Sequence, residues 1–286
     1  MPLPKLPFQP NWPSFRDWLV RTPVWRSMFR SGLWKNTPRD RYLHVLGNVW
    51  LHLHPAKVRP HAIRFTYTFG LGGATFLLFL ILTVTGALLM FYYRPTVQYA
   101  YQDIKDLSYA VTLGQFMRNL HRWAAHAMVF AVVLHMISVF LRGAYKEPRQ
   151  FNWVVGVVLL FLTFMLSFSG YLLPWDQIAI WAVTVGSNMA SATPVLGAEG
   201  PFSITNMKND ARFMLLGGTM VSENALLRFY VWHCIGFPLI TGIFLIVHFW
   251  RIRKDGFSGP GLPVVNPAIP AIPKAPAAPG TTTWPT

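Results

Sequence analysis

The chain has 286 residues, is 53% hydrophobic and only 12% charged, and carries a formal net charge of +15. Apolar residues gathered in long unbroken runs exclude an ordinary soluble domain and point to a membrane protein. The single cysteine, Cys234, excludes an intrachain disulfide framework and any multi-cysteine metal site within the chain.

Residues 1–60 alternate aromatic and basic side chains, as in DWLVRTPVWRSMFRSGLW, which suits a short amphipathic helix at the membrane surface with its tryptophans among the headgroups. An arm packed against other subunits is the competing reading. With no apolar h-region in this stretch, no secretory signal is expected. His44, His52, His54 and His61 have no partner spacing in a span and read as surface residues.

Four runs then contain no Asp, Glu, Lys or Arg: Phe65–Tyr93, Trp123–Leu141, Phe151–Trp175 and Phe229–Trp250. Each is long enough to cross about 30 Å of hydrocarbon as a helix. The expected organisation is an N-terminal arm over 1–60, a four-helix domain over 61–256 and a tail over 257–286. Its spans should lie near 65–93, 115–141, 151–175 and 227–251.

Of the 25 Lys and Arg, 18 lie in residues 1–64, in the loop 142–150 and in the tail after Trp250. With four spans these segments share one side, which the positive-inside rule makes the n-side, cytoplasm or its photosynthetic equivalent, with both termini there. The basic excess is thus a topology signal, and no nucleic-acid module accompanies it.

The second run holds His121 and His135, fourteen residues apart, and the fourth holds His233 and His248, fifteen apart. Fourteen helical residues turn through about 1400°, roughly 40° short of four turns, and rise about 21 Å. Both imidazoles of a pair therefore face one way at different depths. Two such helices can clamp two flat metal-centred ligands, and iron porphyrin meets that demand through neutral imidazole nitrogens and an apolar slot. A single histidine in an apolar helix reads more readily as a hydrogen-bonded core residue, but four with matched spacing reverse that judgement.

Gly72 and Gly86 in the first run, and Gly156 and Gly170 in the third, repeat the fourteen-residue interval. Glycine lets another group approach the backbone closely, so two pairs in register with the histidines suggest slots for two porphyrin faces. In the fourth run Pro238 removes an amide that would bond the carbonyl of Cys234, which predicts a kink or bulge there. One residue absorbed in a bulge brings the fifteen-residue interval close to fourteen. Residues 174–227 begin PWDQIAIWAVTV and predict one or two amphipathic helices along the p-side surface, a lid or floor for a lipid-soluble substrate, with Asp176 read either as a helix cap or as a functional residue. After Trp250 come RIRKDGFSGPG and a Pro/Ala-rich tail with eight prolines between Pro260 and Pro285, expected to be extended.

The strings FYYRPTV at 91–97, HRW at 121–123, KEPRQFNWVVGVVL at 146–159, SGYLLPWDQ at 169–177, LLRFYVWH at 226–233 and HFWRIRKDGFSGP at 248–260 resemble, in order, the short, split-type cytochrome b of Rieske/cytochrome b complexes, the cytochrome b/f type. The resemblance implies an all-α membrane protein, a four-transmembrane-helix bundle holding two stacked, non-covalent b-type haems, with p-side surface helices and an n-side arm. It implies that His121 and His233 ligate a p-side haem iron and His135 and His248 an n-side one. The topology above pairs them the same way, because the second and fourth spans run in the same direction. By the same resemblance Arg118 and Arg122 lie near the p-side haem, and Arg149 and Arg253 near n-side propionates or quinone; interfacial snorkelling is the competing role for these arginines.

Two departures stand out. Where the family commonly has a cysteine that tethers an extra n-side haem, this chain has Gly70, so a covalent extra haem is not expected. The family's acidic motif for quinol deprotonation is also missing, as expected if a separate C-terminal cytochrome b half supplies it. A quinone pocket is expected around Trp175, Asp176, Ile178, Trp181 and Ala182. The implied function is electron transfer in a quinol:cytochrome c (or plastocyanin-like acceptor) oxidoreductase: one electron of each quinol goes to a Rieske iron–sulfur protein, and the other crosses the membrane to an n-side quinone, contributing to a proton gradient. A c-type cytochrome, lipid, quinone and a homodimeric complex are the further implied partners. The alternatives are a di-haem membrane anchor of a dehydrogenase or hydrogenase, and a haem-free transporter or scaffold whose histidines line a proton path.

Overall fold

A computed structural model describes residues 15–28 and 64–256. Among these residues the chain is helical and has no strand. The helices are α1 Phe15–Arg21, α2 Pro23–Met28, α3 Phe65–Thr68, α4 Leu71–Met90, α5 Ala100–Tyr109, α6 Gly114–Leu141, α7 Gln150–Leu172, α8 Gln177–Ser191, α9 Ala211–Leu216, α10 Glu223–Val231 and α11 Phe237–Asp255. A π-helical turn, Trp232–Gly236, joins α10 to α11, so Glu223–Asp255 is one continuous rod. The Pro- and Ala-rich tail, and His44, His52, His54 and His61, lie outside the described residues.

Among the described residues four helices are long and apolar enough to cross a membrane: α4 with 20 residues, α6 with 28, α7 with 23 and the α10–π–α11 rod with 33. At about 1.5 Å per residue the shortest still covers about 30 Å. Helices are what such runs must form, because hydrocarbon offers backbone amides no partner but each other. The first apolar run is longer than the span it makes. Gly70 stands in the left-handed region at φ 63, with Phe69 beside it at φ 52, and this separates α3 from α4.

Contacts divide the chain into two compact units. The larger, covering 68–145 and 152–248, contains most of the four spans. Its spans carry their large apolar side chains outward, Leu77, Phe130 and Phe161 among them, while Thr85, Thr163, Ser169 and Thr241 are buried. This inversion follows from a solvent that is itself apolar: Leu and Phe lose nothing by facing it, whereas hydroxyls must be satisfied inside.

One apolar cluster in this unit is buried throughout. Leu172 and Trp175 at the end of α7, Ala179 and Val183 of α8, Leu216 of α9, and Leu226 and Phe229 of α10 pack together with Ala100. Residues 174–227, expected to hold one or two helices, contain α8, α9 and the first turn of α10. Helices α8 and α9 are each started by an aspartate cap: Asp176 accepts the Ala179 amide at 2.9 Å and Asp210 the Phe213 amide at 2.8 Å. The α4–α5 turn is closed by Arg94, whose backbone amide and guanidinium both donate to the buried carboxylate of Asp103. Those bonds hold the Asp103 pKa below its ordinary value.

The smaller unit contains α1, α2, residues 146–151 and the end of α11. The single amphipathic helix expected in the arm is broken into α1 and α2 at Thr22. Pro23 cannot extend α1, and the Thr22 hydroxyl instead caps α2 by accepting the Trp25 amide at 3.2 Å. Ser27 of α2 donates its hydroxyl to the carbonyl of Pro148. Arg251 donates to the Ser27 carbonyl at 2.7 Å and pairs with Asp255 at 2.9 Å, with both charged side chains buried.

Candidate functional site

Three of the four glycines singled out above lie against histidine rings. A Cβ at Gly86 would sit 3.2 Å from Cε1 of His121, and one at Gly72 would sit 3.4 Å from Cε1 of His135. α4 and α6 therefore run antiparallel, with each glycine level with one histidine. At Gly170 an added Cβ would fall inside the contact distance of the His233 ring. Gly156 differs: the nearest side-chain atom to a Cβ there is Sδ of Met136, at 3.6 Å.

His121 and His233 face one another across the bundle, their ring centroids 6.2 Å apart and their planes at 77°. The Nδ1 side of each ring is held by the neighbouring helix. Thr85 donates its hydroxyl to the Ile81 carbonyl at 2.7 Å, which leaves its oxygen to accept the Nδ1–H of His121 at 2.8 Å. His233 Nδ1 lies 3.1 Å from the Leu166 carbonyl and 3.2 Å from the Ser169 hydroxyl. A carbonyl only accepts, so Nδ1 of His233 carries the proton and Nε2 keeps its lone pair. This arrangement fixes the tautomer of a metal-binding imidazole and raises its basicity. Sequence reasoning missed Thr85 and Ser169, although each stands immediately before a glycine of the fourteen-residue pattern, as Thr85–Gly86 and Ser169–Gly170.

The fifteen-residue interval of the fourth span is explained as expected. His233 lies inside the π-helical turn Trp232–Gly236, and the Phe237 amide bonds the Trp232 carbonyl five residues back. The wider turn absorbs one residue and relieves Pro238 of its clash with a carbonyl four residues earlier. His233 and His248 thus face nearly one direction. His135 and His248, like the first pair, are partly buried.

The other residues named from sequence divide by face. Arg118 is half-buried, with Nη1 3.4 Å from the Ser108 hydroxyl, while Arg122 is exposed. Trp175 is buried at φ 51, Ala182 packs partly against the apolar cluster, and Ile178 and Trp181 are exposed on the outer side of α8. Asp176 serves as the α8 cap. Arg149 and Arg253 belong to the smaller unit, where Nε of Arg149 donates to the Gly256 carbonyl at 3.2 Å.

Among the described residues no group of three or more His, Cys, Asp or Glu comes together, so histidine pairs are what the spans offer a metal. Such a pair needs a ligand that supplies the remaining coordination itself. Two bonds of about 2 Å from facing imidazoles fit the 6.2 Å between the ring centroids of His121 and His233. The match to the family described as cytochrome b/b6/petB covers residues 56–256. This chain belongs to the cytochrome b/b6 family. Cytochrome b6 of Pyropia yezoensis is 41% identical over 203 residues, which are 71% of this chain and 88% of that protein. Cytochrome b6 of Heliobacterium mobile is 40% identical over 207 residues, 72% of this chain and 90% of the relative. A chain of a hyperthermophilic respiratory Complex III superposes with a TM-score of 0.61 at 25% identity, over 78% of this chain. The present chain spans about half of that one, 54%. Family membership implies b-type haem, and the facing imidazoles with their anchored Nδ1 atoms agree with it.

Proposed function

We propose that this chain is the di-haem cytochrome b subunit of a quinol-oxidising membrane complex, carrying electrons from a p-side quinol-oxidation site to an n-side quinone-reduction site. The observation that carries this reading is the His121–His233 pair, 6.2 Å apart with both Nδ1 atoms held by helix hydroxyls or a carbonyl. His135 and His248 form the second pair. Bound between the pairs, b haems supply one-electron redox chemistry. The chain's own residues ligate, orient and insulate: Gly72, Gly86 and Gly170 leave room against the rings, and the outward Leu and Phe side chains keep the site dry.

The quinol site is completed from outside residues 1–286. The exposed face of α8, with Ile178, Trp181 and Val185, offers an apolar wall to which another polypeptide is added. Asp176 is already engaged as a cap. Quinol loses two protons on oxidation, so acceptors on the Rieske protein and on a counterpart of the C-terminal cytochrome b half are needed. The 54% coverage of the Complex III chain, against 88% and 90% of the two cytochrome b6 relatives, supports such a counterpart. Position 70 is glycine and offers no thiol, which supports two non-covalent haems without a thioether tether at that position.

Haem content and redox titration of four single mutants test the assignment. Replacing His121 or His233 is expected to remove one b haem and retain the other, and replacing His135 or His248 to do the reverse. Two haems with unchanged potentials in every mutant would refute it. Co-purification of a Rieske protein separates this reading from a dehydrogenase or hydrogenase anchor.

A further inference from the structure

Between the two histidine levels the bundle is closed by a buried layer. Thr241 stands eight residues after His233 and seven before His248. With one residue absorbed by the π turn, both intervals come to about 700°, so Thr241 shares the histidines' face to within about 20°. Two other spans repeat this midpoint: Met128 is seven residues from His121 and from His135, and Thr163 is seven from Gly156 and from Gly170. Met128, Thr163 and Thr241 are only 9%, 6% and 2% exposed, so neither lipid nor water reaches this level. It lies about 11 Å along the axis from either histidine level.

The hydroxyl of Thr241 differs from the other buried hydroxyls of the spans. Thr85, Thr163 and Ser169 each donate to the carbonyl four residues back, at 2.7, 2.9 and 2.7 Å. Such a bond fixes the direction of the O–H dipole. Thr241 Oγ1 is buried without a hydrogen-bond partner among the described residues, so its hydrogen is free to turn toward either histidine level. An unbonded hydroxyl in a protein interior is costly, and marks a group with something else to interact with.

We infer that Thr241 is a tuning residue for electron transfer, stabilising the chain when a single electron resides on its two haem sites. The inference rests on the di-haem reading above. A haem site held by two neutral imidazoles carries one more positive charge when oxidised than when reduced. With both sites in the same state, their fields along the axis cancel at the midpoint and a turning dipole gains nothing. With one site oxidised and the other reduced, the fields no longer cancel. The hydroxyl then directs its hydrogen toward the reduced level and its lone pairs toward the oxidised one, an interaction that a dry interior of low dielectric preserves. When the electron changes level the hydrogen swings over; no bond breaks and no proton leaves Thr241.

The test is a spectroscopic redox titration of both haems, made on native membranes that carry the full chain in its complex. Stabilising the singly reduced form raises the potential for the first electron and lowers that for the second, so removing the hydroxyl draws the two together. Thr241→Val keeps the side-chain shape. It is expected to narrow the ratio of the two reduction equilibria about twofold, which is about 18 mV at about 59 mV per tenfold for one electron. Thr241→Ser keeps the hydroxyl and is expected to keep the wild-type separation. Thr163→Val removes a hydroxyl already tied to the Leu159 carbonyl and is the control. Haem content per chain shows whether each variant has assembled, and Thr241→Ala replaces the valine variant if that one loses haem. Loss of haem from both would make Thr241 a packing residue and overturn the inference. An unchanged separation, two potentials that shift in the same direction, or an equal effect of Thr163→Val would also overturn it, while leaving the di-haem reading standing. A wild-type chain without two b haems would overturn both.

Discussion

Replacing Thr85 by valine keeps the shape of the side chain and deletes the oxygen that accepts His121 Nδ1–H at 2.8 Å. The imidazole N–H is then left in a half-buried site without that partner, at a cost of about 1–3 kcal/mol. Removing such an outer-shell bond lowers metal affinity by about 10–100-fold in comparable sites, so a tightly held haem should still be bound. Its potential should move. The lost bond makes His121 a weaker base and disfavours the oxidised iron. A difference of about 0.5–1 kcal/mol between redox states corresponds to a rise of about 20–40 mV for one electron. Ser169→Ala should do less, because the Leu166 carbonyl still accepts from His233 Nδ1 at 3.1 Å. Thr83→Val is the control: its exposed hydroxyl bonds only the Phe79 carbonyl within α4. The assay is a spectroscopic redox titration of both haems with haem content per chain. The reasoning fails if Thr83→Val shifts a potential as much as Thr85→Val, if Ser169→Ala exceeds Thr85→Val, or if both haems move together.

Gly170→Ala should abolish the His121–His233 haem while Gly73→Ala is silent, since a Cβ at Gly170 collides with the His233 ring and one at Gly73 meets nothing within 4 Å; haem content per chain decides. Deleting Ile235 together with Pro238→Ala should retain both haems, because the deletion converts the π turn to α-helix and leaves the flanking faces in phase. Deleting Ile243, outside that turn, should rotate His248 by about 100° relative to His233 and lose one haem. Asp103→Asn should lower the thermal midpoint of the solubilised protein by a few degrees, measured by differential scanning fluorimetry. The Asp103 pKa is depressed by Arg94 in the folded state, so its contribution is present above the ordinary carboxylate pKa of about 3.9 and is lost as pH falls below it. The wild-type advantage over the variant should therefore vanish in acid.

Much of this protein follows from local pattern. Runs of nineteen or more residues without charge can only be helices in a bilayer, so the four spans were legible from composition alone. The histidine and glycine intervals report which side chains share a face because helical periodicity is a property of one helix. The π turn was legible too, since Pro238 forbids one amide and fifteen residues exceed four turns. What one helix cannot encode is its register against the next. That Gly86 meets His121 and Gly72 meets His135, that Gly156 meets Met136 instead of a histidine, and that Thr85 and Ser169 hold the ring nitrogens all depend on how far each span slides past its neighbour. The same holds for faces: the sequence groups Trp175, Ile178, Trp181 and Ala182 in one segment, but packing buries Trp175 and turns Ile178 and Trp181 outward. Periodicity sets direction around an axis, whereas depth and partner are set only when the helices pack.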